Sequence, residues 1–160
     1  MNTIIRPIQQ PDNPGIEQLI RLVLTEFGAN RPGFAWSDPE LSNMFHSYSQ
    51  PGTLYYVIQH DNKLLGGAGI APFNDDQPGV CELQKMYLHP DARGKGLGSQ
   101  LITTLLQDAR TMGYERCYLE TLATMTDAQR LYQQQGFRPL KAPIAPGIHH
   151  GCDCWMICDL

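Results

Sequence analysis

Apolar side chains recur at helical spacing in two long segments of the chain. The first, after Pro14, places six of them on one helical face: Ile16, Leu19, Ile20, Val23, Leu24 and Phe27. The second, from Gly96 to Met112, does the same with Leu97, Leu101, Ile102, Leu105, Leu106 and Ala109. Residues three and four apart share one side of an α-helix, so both segments are predicted to be helices packed on a core. Gly28 and Gly113 are the predicted C-terminal stops.

Local signals predict two shorter helices. The segment Asp38–Ser47 follows an irregular loop and is predicted to be helical. Thr126 and Gln129 have the spacing of a capping box, in which each side chain bonds to the backbone of the other residue. They are predicted to open a last helix that ends at Gly136.

Strand-like segments bounded by turn residues occupy much of the remaining chain: Ile4–Gln9, Thr53–His60, Lys63–Phe73, Val80–Leu88, Arg116–Thr121 and Asp153–Asp159. Asp61-Asn62 joins two of them in the manner of a tight hairpin. The long central helix connects Val80–Leu88 to Arg116–Thr121, and strand–helix–strand units of this kind form right-handed parallel crossovers. The predicted fold is therefore of the α/β (α+β) class, with a mixed sheet.

The composition is that of one ordinary globular domain. The chain has 160 residues, 42% of them hydrophobic, so residues 1–160 are predicted to form a single domain. The formal charge of -4 argues against a general nucleic-acid binder, because neutralising phosphates needs a concentrated Lys and Arg surface. No apolar stretch approaches the roughly 18 residues of a membrane span, and Met1–Gln10 lacks the layout of a signal peptide. We expect a cytoplasmic protein with no membrane partner, whose five cysteines are free thiols.

A glycine-rich loop, Arg93-Gly94-Lys95-Gly96-Leu97-Gly98, lies between the fourth strand and the long central helix. Its alternating glycines let backbone N–H groups approach an anion at the positive end of the helix. Arg93 and Lys95 add positive charge that suits a pyrophosphate. The same glycines could simply make a tight turn. The loop does not match two common nucleotide-binding motifs: neither Ser nor Thr follows Gly94-Lys95, and the third glycine of the dinucleotide fingerprint is missing.

The flanks of this loop make the pattern more specific. Gln84-Lys85-Met86-Tyr87-Leu88-His89-Pro90, leading into Arg93–Gly98, resembles the signature of the GNAT acetyltransferase superfamily, whose core pattern is Arg/Gln-x-x-Gly-x-Gly/Ala. Downstream, Ala128, Leu131-Tyr132 and Gly136-Phe137 resemble the family's Ala-x-x-Leu-Tyr-x-x-x-Gly-Phe ending of the fourth helix. The resemblance implies the GNAT fold, with a mostly antiparallel sheet of about six to seven strands flanked by about four helices. It also implies acetyl-CoA as co-substrate and no metal.

In this family the fourth strand bulges away from the fifth, and the pantetheine arm binds backbone groups in the gap. The resemblance implies a cofactor-binding set made of Met86, Tyr87, Leu88, Arg93, Gly94, Lys95, Gly96, Leu97, Gly98 and Ser99. The backbone N–H of Leu88 is the predicted donor to the thioester oxygen. Family members often have Asn at the start of the fourth helix, where this chain has Met125, so that contact with the cofactor is not implied here.

Two residues match catalytic positions of the family. Glu82 matches the glutamate that serves as base in members acting on lysine, directly or through a water, and Glu120 in the neighbouring strand is the reserve. A base is useful because an amine with a pKa near 10.4 is only about one part in a thousand neutral at pH 7. Tyr132 matches the tyrosine that protonates the departing CoA thiolate or positions its sulfur. The alternative for Glu82 is a solvent-facing or salt-bridged strand residue. For Tyr132 it is a half-buried aromatic packed beside Leu131, which spacing alone would favour.

The acceptor side is described only by analogy. In the family it lies between the loop after the first helix and the segment before the last strand, where the candidates are Arg31, Phe34, Trp36, His149 and Trp155. The run His149-His150-Gly151-Cys152-Asp153-Cys154 contains zinc-type ligands without a common paired spacing. If the segment is extended, Cys152, Cys154, Met156 and Cys158 lie on one face of the strand. The favoured interpretation is that these four residues form a buried stripe.

The predicted function is N-acetyl transfer from acetyl-CoA to a primary amine, carried by a small molecule or an amino-acid-like acceptor, in a ternary complex. A peptide acceptor is a variant of this hypothesis, and a covalent cysteine intermediate is disfavoured. The alternative is a non-catalytic acyl-CoA-binding module. The presence of both Glu82 and Tyr132 favours the enzyme. Family members often form dimers, so a homodimer is a further expectation.

Overall fold

The computed structural model describes residues 2–145 and 150–160. Within these ranges one sheet contains seven strands: β1 Thr3–Pro7, β2 Leu54–His60, β3 Lys63–Pro72, β4 Val80–Leu88, β5 Arg116–Thr121, β6 Arg138–Leu140 and β7 Cys154–Asp159. The α-helices described are α1 Asn13–Glu26, α2 Met44–Ser47, α3 Leu97–Thr111 and α4 Thr126–Gln134. Short 3-10 turns occupy Gln10–Asp12, Ala35–Ser37, Pro39–Ser42 and Pro90–Ala92. No helix in the described part of the chain has the length and apolarity to cross a membrane.

The strands lie in the order β1-β2-β3-β4-β5-β7-β6. Neighbouring strands are antiparallel except β4 and β5, which run parallel and are joined by α3. A parallel pair needs a long crossover connection, and α3 supplies it. The predicted mixed, mostly antiparallel sheet with one parallel crossover is confirmed.

Helices cover both faces of the sheet, so alternate residues of the central strands enter two different cores. On β2, Val57 packs in the core that contains α1, whereas its neighbour Ile58 packs in the core that contains α3. The long helices bury most of the predicted apolar residues: Ile16, Leu19, Ile20, Val23 and Leu24 on α1, and Leu101, Ile102, Leu105, Leu106 and Ala109 on α3. Gly28 and Gly113 follow these helices with positive φ, as predicted.

The helix predicted over Asp38–Ser47 is wrong as one continuous element. A 3-10 turn, Pro39–Ser42, is followed by the short α2, because Asn43 between them has φ -149° and ψ 58° and interrupts the helical path. The sequence pattern also does not predict β6, whose three residues at the sheet edge are too few to show a period.

The capping box predicted at Thr126 is absent. Met125 is the N-cap of α4 and makes no side-chain cap hydrogen bond. The amide of Gln129 instead donates to the carbonyls of Leu122 and Ala123, at 2.9 and 3.0 Å. This side chain therefore fastens the loop between β5 and α4.

Candidate active site

Strands β4 and β5 separate part of the way along the sheet. They pair only where Val80–Glu82 faces Arg116–Tyr118. Beyond this point β4 continues to Leu88 with no described strand on that side, while β5 remains paired with β7. The backbone N–H and C=O groups on the open side of β4 therefore have no strand partner there. The predicted separation of these two strands is confirmed.

A β-bulge lies in β4 beyond the last residue that pairs with β5. The register with β3 shifts between Gly67 and Gly69, so that two residues of β4, Lys85 and Met86, face one residue of β3. Lys85 has a left-handed backbone with φ 50°, and its carbonyl accepts a hydrogen bond of 2.8 Å from the hydroxyl of Tyr55. Because a bulge bends its strand and increases the local twist, it turns the end of β4 away from β5.

A groove of about 480 Å³ runs over the end of β4 and between the starts of α3 and α4. Most of the residues predicted to bind the cofactor line it: Met86, Tyr87, Leu88, Arg93, Gly94, Gly96, Leu97, Gly98 and Ser99. Lys95, the remaining member of that set, is exposed on the same loop. The residues selected by motif therefore lie around one depression.

The N-terminus of α3 opens into this groove. Gly96 is its N-cap with φ 76°, and Gly94 has φ 72°, a backbone region that costs a residue with a side chain roughly 1–2 kcal/mol. The amide of Gln100 bonds back to the carbonyl of Gly96 at 3.1 Å, which leaves the N–H groups of residues 97–99 without an acceptor in the helix. The loop can therefore bind a phosphate group with backbone donors.

Arg93 is held by groups of the protein itself. Its guanidinium donates to the carbonyl of Leu88 from Nε at 3.1 Å and from Nη2 at 2.9 Å. It also pairs with both carboxylate oxygens of Glu26, at 2.7 and 2.8 Å. The hydrogen bond between them raises the pKa of Arg93 and lowers the pKa of Glu26. Arg93 thus ties the C-terminal end of α1 to the end of β4 and shapes one wall of the groove.

A smaller cavity of about 80 Å³ opens in the gap between β4 and β5. Glu82 of β4 and Glu120 of β5 both line it, together with Phe34 and Cys152. The cavity and the groove share a set of lining residues: Val23, Phe27, Met86, Tyr87, Met125 and Tyr132. A group bound in the cavity would therefore lie next to one bound at the inner end of the groove.

The carboxylate of Glu82 is half-buried and is oriented by a chain of hydrogen bonds. The amide of Gln84 donates to Glu82 Oε1 at 2.7 Å, and the hydroxyl of Tyr48 donates to Gln84 Oε1 at 2.7 Å. Burial raises the pKa of Tyr48 well above its usual value, so this hydroxyl remains a donor. These two hydrogen bonds fix the Glu82 carboxylate from its buried side.

Glu120 reaches the same cavity from the neighbouring strand and accepts a hydrogen bond of 2.9 Å from the hydroxyl of Tyr118. The thiol of Cys152 lies close to these carboxylates. Burial, followed by the charges of Glu120 and Glu82, raises the pKa of Cys152 to about 12. Cys152 is therefore a neutral thiol near pH 7 and a poor nucleophile.

Tyr132 lies where the cavity and the groove meet. It is buried, with 6% of its surface exposed, and its ring packs edge-on against Phe137 at 5.9 Å between centroids. Its hydroxyl makes no hydrogen bond within the described ranges of the chain. Burial raises the pKa of Tyr132, so the phenol keeps its proton. A protonated hydroxyl without a described protein partner is available to a ligand atom in the groove.

The aromatic residues predicted for the acceptor side have different positions. Phe34 lines the cavity, and the guanidinium of Arg31 lies 5.5 Å above its ring. Trp36 instead contacts Arg21, whose guanidinium lies 4.6 Å above the indole. Trp155 is on β7, paired with β5 and β6. Of these residues, Phe34 is the one that lines the cavity.

The histidine and cysteine run before β7 is only partly described. His149 lies outside the described residues, and His150 is exposed. All five cysteines are free, as expected. Cys154 and Cys158 contribute to the core, but Cys152 precedes β7 and lines the cavity, so the predicted four-residue stripe is wrong at that position. Residues 2–145 and 150–160 contain no group of three or more His, Cys, Asp or Glu that could hold a metal.

Sequence reasoning did not select several residues that complete the site. Met125 lines both the cavity and the groove and accepts a hydrogen bond from Thr121 at 3.8 Å, measured to its sulfur. Lys85 of the bulge is buried and pairs with Asp38 and Glu40. No local sequence pattern predicts the pair of Lys85 with Asp38, because these residues are 47 positions apart in the chain.

Comparison with known proteins agrees with this geometry. The model of the acetyltransferase (GNAT) family matches residues 16–137. The uncharacterised N-acetyltransferase YjgM of Escherichia coli strain K12 is 39% identical over 158 residues, which cover 98% of this chain and 95% of that protein. A GNAT-family acetyltransferase structure from Staphylococcus aureus matches with a TM-score of 0.85 at 17% identity, over 99% of each chain. YncA from Salmonella typhimurium, solved with its cofactor acetyl-CoA, matches with a TM-score of 0.78 at 21% identity, over 99% of this chain and 94% of that one. The chain therefore belongs to the GNAT family of acetyltransferases.

Proposed function

We propose that this acetyltransferase moves an acetyl group from acetyl-CoA to the primary amine of a small molecule, by direct transfer in a ternary complex. The observation that carries the proposal is the position of Tyr132 on the wall shared by two binding spaces. One space is lined by the glycine loop at the start of α3, whose free N–H groups suit a phosphate, and the other by two carboxylates, Glu82 and Glu120. A thioester at the end of the first and an amine in the second would meet beside the tyrosine.

The groove has the features that acetyl-CoA requires. Backbone donors at the N-terminus of α3 suit the pyrophosphate, with Lys95 exposed on the same loop. The open side of β4, from Met86 to Leu88, has no strand partner, so its backbone groups other than the Leu88 carbonyl, which binds Arg93, suit the amides of the pantetheine arm. The N–H of Leu88 remains our candidate donor to the thioester oxygen, although the bulge itself lies earlier, at Lys85 and Met86. That YncA was solved with acetyl-CoA supports the same assignment.

The residues around the cavity supply the acid–base chemistry of the transfer. Glu82 takes a proton from the bound ammonium group, directly or through a water, and Glu120 is the alternative base. The neutral amine then attacks the thioester carbonyl, and a tetrahedral intermediate forms. The nitrogen of this intermediate still carries one extra proton. Its collapse breaks the C–S bond, the leaving sulfur takes the proton of the Tyr132 hydroxyl, and the phenolate regains a proton from that nitrogen, directly or through a water. No protein nucleophile is needed, which is consistent with the neutral thiol of Cys152.

A contact between two segments beside the cavity supports a small acceptor rather than a peptide. The N–H of Gly151 donates to the carbonyl of Gly33 at 2.8 Å, which joins the segment before β7 to the loop after α1. The ring of Phe34 packs directly on Gly151: a Cβ added there would lie 2.3 Å from the Phe34 Cζ. With this contact in place, the cavity of about 80 Å³ leaves space for only a few non-hydrogen atoms.

Gly151→Ala tests whether this contact sets the size of the acceptor. The added methyl group must displace the Phe34 ring, and we expect the KM for small amines to rise about tenfold with little change in acetyl-CoA affinity. Steady-state kinetics and calorimetry measure the two quantities. Gly15→Ala is a matched control, because its Cβ would lie 3.2 Å from a side chain of β3, Leu64. An unchanged KM in Gly151→Ala would show that the contact between Phe34 and Gly151 does not determine which acceptors the enzyme binds.

The function itself is tested by acetyl-CoA binding in a calorimeter, followed by a panel of primary amines in which CoA release is measured with a thiol reagent. We expect binding, turnover with small amines and intersecting initial-rate lines, and no acetyl adduct on the protein by mass spectrometry without acceptor. Absence of acetyl-CoA binding would refute the proposal. Binding without turnover across the panel would favour the non-catalytic module.

A further inference from the structure

Lys85 is a buried cation at the bulge of β4 that the chemistry above does not use. Its side chain is only 3% exposed. The ammonium Nζ lies 2.9 Å from Asp38 Oδ2 and 3.0 Å from Glu40 Oε1. Asp38 is nearly as buried, with 8% of its side chain exposed, whereas Glu40 exposes 28%. Three charges from two distant parts of the chain therefore meet beneath the surface.

This cluster is stable only as a unit. Burial lowers the pKa of Lys85, but the charges and hydrogen bonds of Asp38 and Glu40 raise it by more, so the ammonium stays charged. Removing the lysine would leave a buried carboxylate at Asp38 without this cation, which proteins tolerate poorly. The loop that carries the two carboxylates is thus bound to β4 by a contact that cannot loosen without cost.

The ion pairs of Lys85 join two parts of the site, the β4 bulge and the loop that carries Asp38 and Glu40. On the strand side, the Lys85 backbone forms the left-handed bulge, and Tyr55 fixes its carbonyl. On the loop side, the carboxylates belong to residues 34–40, which we call the acceptor wall because its first residues, Phe34 and Ala35, line the cavity. A shift of the Asp38 end of this segment would therefore move the wall against which the acceptor binds.

We propose that Lys85 is a positioning residue: its ion pairs with Asp38 and Glu40 hold the acceptor wall against the β4 bulge, at the distance that acetyl transfer requires. Two of the three N–H donors of its ammonium group are directed to the two carboxylates, so we assign the residue a positioning role rather than that of a base or a donor to substrate. Since catalytic rates are sensitive to misplacements of about 1 Å, a small displacement of the wall is enough to matter. The kinetic part of this inference rests on the proposed function.

Lys85→Met tests the proposal, with Lys63→Met at an exposed position of β3 as the matched control. We expect kcat/KM for the amine to fall about 100-fold in Lys85→Met, mainly through KM, with acetyl-CoA Kd within about threefold of wild type. Lys63→Met should behave as wild type. A Lys85→Met protein with unchanged kcat/KM would overturn the proposal, and so would an equal loss of acetyl-CoA binding, which would indicate general damage.

A second readout does not depend on turnover. The chain has two tryptophans, and Trp36 lies in the acceptor wall. In a Trp155→Phe background, acrylamide quenching of Trp36 should increase when Lys85→Met is added, because the wall is released. Unchanged quenching would overturn the proposal even if the protein acetylates no amine. Loss of all turnover in the wild type with increased quenching in the variant would instead refute only the proposed function.

A triple variant covers the case in which Lys85→Met does not fold. Asp38→Asn, Glu40→Gln and Lys85→Met together remove all three charges at nearly constant volume, so no uncompensated charge stays buried. We expect this protein to fold and still to show the raised KM, because amides and a thioether cannot reproduce the directed ion pairs. A wild-type KM in the triple variant would contradict the positioning role.

Discussion

Tyr132→Phe is expected to lower kcat about 100-fold while acetyl-CoA affinity stays within about twofold of wild type. The hydroxyl makes no hydrogen bond to any described residue, so its removal costs the resting protein little. Its contribution arises as negative charge develops on the departing sulfur, and one positioned acid typically contributes about 10²–10⁴-fold. Initial rates of CoA release measure kcat, and calorimetry measures the Kd of acetyl-CoA.

Tyr114→Phe is the matched control for this substitution. It also removes a phenol hydroxyl, one that donates to the carbonyl of Gly52 at 2.7 Å and lies outside the cavity and the groove. This control should lose some stability and keep its kcat. If Tyr132→Phe retained a kcat equal to that of Tyr114→Phe, the hydroxyl of Tyr132 would have no part in the transfer.

The raised pKa of Tyr132 has a consequence for the pH profile. A phenol normally loses its proton near pH 10, and burial moves this titration to higher pH. The donor form is therefore present throughout the neutral and mildly alkaline range, and it would be lost only above the raised pKa. Any fall of kcat between about pH 8 and pH 10 must then come from a group other than Tyr132.

Glu82→Gln is the second substitution with a large expected effect. We expect kcat/KM for the amine to fall about 100-fold at pH 7, because the acceptor then has to enter as the rare neutral amine. The deficit should shrink as pH rises toward the pKa of the amine, near 10.4 for an alkylamine, since solution then removes the proton. A pH-rate profile of wild type and variant measures both effects.

Glu120→Gln decides between the two carboxylates of the cavity. The two residues lie on adjacent strands and line the same space, so the substitution is matched in chemistry and in place. We expect a smaller loss in Glu120→Gln and a pH profile of the wild-type shape. The reverse result, with the steep alkaline recovery in Glu120→Gln alone, would transfer the role of base from Glu82 to Glu120.

Local patterns in the sequence were sufficient for much of the fold and for the part of the site that we propose binds acetyl-CoA. The apolar spacing of α1 and α3 specifies which face is buried, because helix geometry is set by residues three and four apart. The glycine loop is equally local: a left-handed backbone at Gly94 and Gly96 and the free N–H groups of a helix start are properties of adjacent residues. These features can be recognised without knowing what packs against them.

Long-range contacts decided the rest of the site. Glu82 and Glu120 line one cavity because β4 and β5 start as a parallel pair and pair no further than Glu82 and Tyr118. The family resemblance implied this separation, but no spacing along the chain encodes it. Arg93, expected to serve a phosphate, is also bound by Glu26 of α1, 67 positions away. The acceptor wall shows the same dependence, because its position is set by the ion pairs of Lys85.

The sequence by itself determined α1 and α3, the mixed character of the sheet, the family and the glycine loop that we propose binds a phosphate, since these were recognised from residues that are near one another in the chain. Only the tertiary structure decided that Phe34 meets Gly151 beside the cavity, that Glu82 and Glu120 line it together, and what holds the acceptor wall. Those properties depend on pairs such as Lys85 with Asp38 and Phe34 with Gly151, which meet only after the sheet has formed. Ion pairing and close packing depend on the distance between residues in space, so the separation of two residues along the chain does not predict them.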